Sequence, residues 1–224
     1  MGIDDKILPS NVPANMYVLL KGRQFSKSSG WYIDAIDAVK DFGEDRMRYY
    51  LTTIIPERDD TNFTWEDFAA RVNGELVDNM ANFCHRTLVL ASKFFSGSSF
   101  RLEDFSSNIC LDVIHAMNTF SIRIRSSLDS IEFRKTVAEI LRFTQQANKF
   151  VNDSKPWQLI KEDANVAREA IAAALLYMCG LGSFLQPILP NYSSRIRAVF
   201  PSVDLKRVYC QSFGRKALAF RRSL

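Results

Sequence analysis

Residues 64–95 read TWEDFAARVNGELVDNMANFCHRTLVLASKFF, and the fold follows from this stretch. Apolar positions recur at Phe68, Val72, Leu76, Met80, Phe83, Thr87 and Leu90 in steps of three and four, the spacing of one face of a helix. Thr64 can accept the amide of Asp67, and Glu66 and Asp67 suit the positive N-terminal end. Ser96-Gly97-Ser98 follows as a stop. On a helix Asn82 and Arg86 stand four residues apart and share a face.

Outward from this helix the chain keeps repeating the same pattern. Residues 33–55 give a short helix ending near Phe42-Gly43, then a second one that Asp45 is placed to cap and Pro56 stops. Residues 57–63 read as a charged loop. Downstream, helical spacing returns over 108–129, 132–151 and 168–185, the last apolar almost all round, as a central buried helix must be. Pro187 and Pro190 close it, and Asn191 or Ser193 can cap a last short helix through Ile196 and Phe200. Met16 to Leu20 reads as a short strand after turn residues Pro9, Asn11 and Pro13. The fold class is therefore all-α, an antiparallel helical bundle preceded by a small mixed N-terminal segment.

Composition narrows the function. The net charge of +4 over 224 residues excludes a uniformly basic coat for nucleic acid, so any RNA surface is local. Cys84, Cys110, Cys179 and Cys210 form no C-x-x-C pair, which argues against a zinc knuckle and for buried thiols. His85 and His115 have no clustered metal-ligand partners, so no metal site is expected. The apolar run 170–185 is interrupted by glycines and short for a membrane span. The tail from Lys206 to Leu224 is basic and less regular.

Three side chains could hold an unstacked base: the Asn82 amide, the Arg86 guanidinium, and the Trp157 indole on a turn stiffened by Pro156. Cytosine presents acceptors at N3 and O2 and a donor at N4, whereas uracil reverses the polarity at positions 3 and 4. Each mispaired buried polar group costs on the order of 1–3 kcal/mol, enough to separate the two bases. The same residues also suit an ordinary polar helix face and a core plug. The polar run 152–155 before Pro156 favours an exposed ring.

Gln24-Phe25-Ser26-Lys27-Ser28 resembles the K-M-S-K-S loop of class I aminoacyl-tRNA synthetases. Asp45-Arg46-Met47-Arg48-Tyr49-Tyr50, Pro56-Glu57, Trp65-Glu66-Asp67-Phe68 and Arg71-Val72-Asn73 continue in the family's order. Asn82, Arg86, Ala147-Asn148-Lys149 and Pro156-Trp157 resemble the anticodon elements of methionyl-tRNA synthetases, and the likeness covers nearly the whole chain. It departs at Gln24 for the first loop lysine, Asp78 for a frequent amide and Ala81 for a common glycine.

The resemblance implies recognition of the anticodon stem-loop of methionine tRNA, within a cytoplasmic enzyme that joins methionine to that tRNA through methionyl-adenylate. It implies ATP and magnesium as cofactors of the full enzyme, zinc in its catalytic part, and Lys27 as the catalytic ATP contact. It implies no DNA or membrane partner. No H-I-G-H motif is present, so this chain alone is expected not to activate methionine, its N-terminal catalytic partner lying upstream. Residues 1–63 then belong to the catalytic and stem-contact region, with a mobile loop at 24–30, and residues 64–224 to the anticodon-binding domain. Asn82, Arg86, Pro156 and Trp157 would line the anticodon site, with Asp78 and His85 as further candidates. Another class I synthetase, of the isoleucine, valine or leucine type, and a non-catalytic helical adaptor are the alternatives.

Overall fold

The Thr64 hydroxyl accepts from Asp67 N–H at 3.1 Å and starts a helical rod that runs from Trp65 to Phe94. The computed structural model describes residues 11–95 and 107–200. The rod has three parts: α3 (Trp65–Arg71), a π-helical stretch (Val72–Ala81) and α4 (Asn82–Phe94). Around it lie α1 (Ala35–Phe42), α2 (Glu44–Thr53), α5 (Asn108–Asp129), α6 (Phe133–Ser154), α7 (Pro156–Glu162), α8 (Ala164–Leu185) and α9 (Pro190–Ala198). The expected stop at Ser96-Gly97-Ser98, together with Pro9, Cys210 and the basic tail, lies outside the described residues.

The core is one cluster of buried side chains reaching from Leu20 to Phe200. Its centre is α8, flanked by α4, α5, α6, α7 and α9. From Ala170 to Gly182 every residue of α8 is buried. By length and composition α8 could cross a membrane, but 83% of its apolar window is buried inside the protein. It does so by close approach. A Cβ on Gly180 would lie 2.9 Å from both Met117 Cε and Phe143 Cζ, and one on Gly182 only 2.7 Å from Ile196 Cγ2. These glycines let α5, α6 and α9 sit against the α8 backbone.

The mixed N-terminal segment is a two-stranded parallel pair, β1 (Val18–Leu20) against β2 (Thr61–Phe63), in register Val18↔Thr61 to Leu20↔Phe63. The charged loop expected over 57–63 thus ends in a strand. Its three residues are too few for an alternation pattern, and its partner lies some forty residues back. Trp65 joins Phe42, Phe63 and Phe68 in a cluster of tilted and edge-on rings with centroids 4.9–5.5 Å apart.

Helix ends correct the sequence reading in two places. α2 begins at Glu44 after Gly43, with no side-chain cap, and Asp45 does not cap it. Instead Asp45 Oδ2 accepts from Tyr192 N–H at 2.6 Å, so it caps α9 from across the bundle. α9 therefore needs neither Asn191 nor Ser193 as its own cap. Asn191 donates to Glu44 Oε2, and Ser193 Oγ to the Gly182 carbonyl at 2.6 Å. Arg48 completes the clamp by donating to the Ile188 and Pro187 carbonyls between α8 and α9. The next two residues tie α2 to the rod. Tyr49 Oη donates to Glu75 Oε2 at 2.6 Å, and Tyr50 Oη to Asp67 Oδ2 at 3.0 Å. Burial, then Glu75, push the Tyr49 hydroxyl well above the usual phenol range.

Candidate nucleic-acid interface

The rod carries Asp78, Asn82, His85 and Arg86 along its outer side. Asp78, Asn82 and His85 are exposed and Arg86 is half-buried, whereas Met80, Phe83, Cys84 and Thr87 face the core. Arg86 Nη2 donates to Asn152 Oδ1 at 2.8 Å, and its guanidinium carbon lies 5.8 Å from the centre of the Trp157 ring. One guanidinium thus joins α4 to the last turn of α6 and the first turn of α7. A planar cation over an indole is itself attractive. It also leaves other N–H groups of the fork for a ligand.

Trp157 is 41% exposed, so its ring offers a partly open face. Its support differs from the expected turn. The run 152–154 is helical and ends α6. Lys155 then adopts a left-handed backbone, φ 43°, and Pro156 opens α7. A proline is favoured at a first helical position because its missing N–H would have had no partner there. Pro156 is buried, so its part is to fix where Trp157 emerges.

Two features of this edge were not legible beforehand. Asn152, the residue that holds Arg86, read only as part of a polar turn. The π-helical stretch that ends beside Asn82 also escaped the reading. Its signal was present: Phe68, Val72, Leu76 and Met80 are spaced four, four and four. In an ideal α-helix each such step drifts by about 40°, so an apolar face cannot hold that spacing for long. A wider turn lets all four stay buried. On the same edge Asn148 Nδ2 donates to the Asn79 carbonyl at 3.2 Å and to Asn79 Oδ1 at 2.7 Å.

The second group of predicted residues lies apart, in the N-terminal segment. Ser26 and Trp31 exchange both backbone hydrogen bonds, 2.8 and 2.9 Å, and Gly30 N–H reaches the Lys27 carbonyl. Gln24 to Ser28 thus lie at a hydrogen-bonded hairpin rather than in a loose loop, with Gln24, Phe25, Lys27 and Ser28 exposed and Ser26 half-buried. Trp31 is half-buried. Its Nε1 donates to the Leu20 carbonyl at 3.1 Å and Arg23 covers its ring. Among the described residues there is no group of three or more side chains suited to hold a metal ion.

Several basic side chains of the types that meet phosphates are engaged in the protein instead. Arg125 pairs with Asp129, Lys135 with Glu132, and Arg123 lies 3.8 Å from Glu139. Lys149, Lys155 and Lys161 are exposed along α6 and α7, near the Arg86–Trp157 edge in sequence.

The hairpin and the helical bundle behind it fall in a known class, the class I tRNA synthetases, by comparison with family models. Residues 1–88 match the family model described as tRNA synthetases class I (M). Residues 111–214 match the anticodon binding domain of methionyl tRNA ligase, and the chain belongs to the methionyl-tRNA ligase family. A methionine–tRNA ligase from Methanosphaera stadtmanae is 35% identical over 192 residues, 86% of this chain and 28% of the relative. One from Salinibacter ruber is 34% identical over 200 residues, again 86% and 28%. The chain thus spans little more than a quarter of these curated relatives. A solved structure of Mycobacterium tuberculosis methionyl-tRNA synthetase in complex with methionyl-adenylate shares the fold. Its TM-score is 0.75 at 19% identity, covering 90% of this chain and 40% of that one.

Proposed function

We propose that this chain binds the anticodon stem-loop of methionine tRNA, as the C-terminal part of a cytoplasmic methionine–tRNA ligase that charges that tRNA through methionyl-adenylate. The observation that carries the reading is Arg86 held between Asn152 and the partly open Trp157 ring. The guanidinium fork supplies donors for the N3 and O2 acceptors of a cytosine. Asn82, one turn earlier and exposed, supplies an amide that can accept from N4. Stacking a base on the indole contributes roughly 1–3 kcal/mol. His85 and Asp78 border the same edge, and Lys149, Lys155 and Lys161 add salt-sensitive attraction to phosphates. Residues 64–224 form the anticodon-binding domain in this reading, and residues 1–63 meet the catalytic part.

ATP and magnesium serve the full enzyme. The donor set at the hairpin fits phosphate oxygens: Lys27 is exposed, and the hydroxyls of its neighbours Ser26 and Ser28 lie 3.2 Å apart. An ammonium placed there stabilises negative charge on phosphate oxygens. Neither DNA nor a membrane is a partner in this reading.

The test is a binding titration at fixed moderate salt, comparing a stem-loop carrying CAU with the same RNA carrying UAU. CAU should bind several-fold tighter, and Arg86→Ala should abolish the difference. Equal binding of both RNAs by the unaltered protein would overturn the reading.

A further inference from the structure

The π-helical stretch sits immediately before the proposed base-reading residues. The last of its wide turns is closed by Asn82 itself, whose N–H donates to the Val77 carbonyl five residues back. Wide turns of this kind are rare, short and frequently found at functional sites. Here the stretch runs for ten residues, and side chains from two other helices brace it. From α2, Tyr49 Oη donates to Glu75 at 2.6 Å, with Tyr49 only 1% exposed. From α6, Asn148 donates to the carbonyl and side chain of Asn79.

The consequence is one of phase. Each residue of an α-helix advances the helix by about 100°. Phe68 and Val72 fix the upstream part of the rod in the core, so a change in the number of residues per turn over 72–81 rotates everything downstream. Arg86 would then leave Asn152 and Trp157. The brace on Glu75 comes from α2, which carries none of the proposed base-reading residues.

We propose that the π-helical stretch sets the rotational phase of Asn82 and Arg86, and that Tyr49 and Glu75 are positioning residues for base discrimination. This rests on the anticodon reading of Arg86 and deepens it. Tyr49→Phe removes a single hydroxyl and keeps the buried ring. Glu75→Gln keeps an acceptor for Tyr49, and Glu75→Leu removes it. Ser127→Ala, which cuts a buried hydroxyl pair with Thr136 between α5 and α6, serves as a destabilised control with the rod untouched.

Two readouts separate the possible failures, both on the full 224-residue chain. The first is the ratio of CAU to UAU stem-loop affinity. It should fall at least three-fold in Tyr49→Phe and Glu75→Leu, and stay within two-fold of the unaltered protein in Glu75→Gln and Ser127→Ala. The second needs no RNA: the NMR shift of the Arg86 Nε–H group, which the Trp157 ring current displaces. That shift should move toward the free-arginine value in Tyr49→Phe and Glu75→Leu alone. If the unaltered protein does not discriminate, the anticodon reading fails, while the Arg86 shift still decides the positioning. An unchanged Arg86 shift in Tyr49→Phe and Glu75→Leu, or an equal change in Ser127→Ala, overturns the proposal.

Discussion

α8 and the rod from Trp65 to Phe94 are the two helices on which the bundle is built, and they are built differently. α8 is buried on all sides over Ala170–Gly182 and presents alanine, leucine and glycine to its neighbours. The rod buries one stripe, widens into a π-helix midway and keeps its polar side in solvent. α8 makes its contacts mainly by shape, with Tyr177 and Gly182 each accepting a hydrogen bond, from Gln146 and Ser193. The rod is held by directed hydrogen bonds from Tyr49, Tyr50 and Asn148, and in turn holds Arg86. Packing fixes where helices lie, and the polar bonds fix how one of them is turned. Damage to α8's surroundings should therefore cost stability without changing selectivity, and damage along the rod's polar edge should do the reverse.

The largest effect expected from that contrast is on the α8 side. Phe143 is fully buried, edge-on to Phe120 and Phe184 and tilted against Tyr177. Phe143→Ala should cost about 4 kcal/mol, through lost transfer energy and the cavity left behind. In a chain of this size that lowers the thermal midpoint by roughly 8–16 °C. Below that midpoint the preference for CAU should persist. A collapse of selectivity in the folded variant would show that core and site are not separable.

Next comes the reverse case. Arg86→Ala should leave the thermal midpoint nearly unchanged, because Arg86 lies at the surface edge. CAU affinity should drop by about ten-fold or more, in line with about 1–3 kcal/mol for an unpaired polar group. Arg86→Lys should not restore it, since an ammonium lacks the planar fork. A midpoint loss as large as that of Phe143→Ala would place Arg86 among the packing residues instead.

The two helices also each bury a thiol, Cys84 in the rod and Cys179 in α8, and burial pushes both up to about 12. A thiol whose folded value lies above its unfolded one stabilises the fold fully below about pH 9. That contribution is lost progressively as pH rises from there toward 12. Each thiol should cost about 1 kcal/mol between pH 9 and 10. Urea midpoints should therefore fall between pH 8 and pH 10, and Cys84→Ala with Cys179→Ala should shrink that fall, leaving the part due to buried phenols such as Tyr49. An equal fall in the double variant would assign the alkaline loss to other groups.

How much of this was legible follows from how local each signal is. The Thr64 cap, the stripe from Phe68 to Thr87, the all-apolar α8 and the exposed Trp157 are written in neighbouring residues, and each is where the pattern put it. β2 was missed because a three-residue strand has no period of its own. Asp45 was given to its own helix, because nothing near it reveals that Tyr192, nearly 150 residues on, takes its carboxylate. The site divided the same way: Asn82, Arg86 and Trp157 stood out by type, whereas Asn152 and the π-helical stretch act through distant partners. α7 was hidden because a proline ending one helix also begins the next.

A smaller effect tests the joint between α5 and α6, two of the helices packed against α8. Ile131 connects α5 to α6 with φ 59°, a left-handed conformation. Its N–H reaches the Leu128 carbonyl, and the next N–H, from Glu132, reaches that of Ser127. That is the pairing of a helix end usually closed by glycine. A β-branched side chain there costs roughly 1–2 kcal/mol. Ile131→Gly relieves that strain but loses the half-buried side chain and about 0.5–1 kcal/mol to a freer unfolded chain, so stability should rise by no more than about 1 kcal/mol, or roughly 2–4 °C. A fall would mean that Ile131's packing outweighs its backbone strain.

The smallest expected effect bears on the π-helical stretch itself. Gly74 lies inside it, is exposed, and has no atom within 4 Å of where a Cβ would stand. Gly74→Ala should thus stabilise the helix by about 0.5–1 kcal/mol through reduced freedom of the unfolded chain. Alanine favours the regular α-helix, however, so the same change also probes the wide turns. If Tyr49 and Asn148 brace the stretch firmly, the stability gain comes with no change in the CAU to UAU ratio. If the ratio falls while stability rises, alanine has tightened the turns and rotated Arg86 away from Trp157. Either outcome measures how much of the Arg86–Trp157 alignment depends on the ten residues of the π-helical stretch.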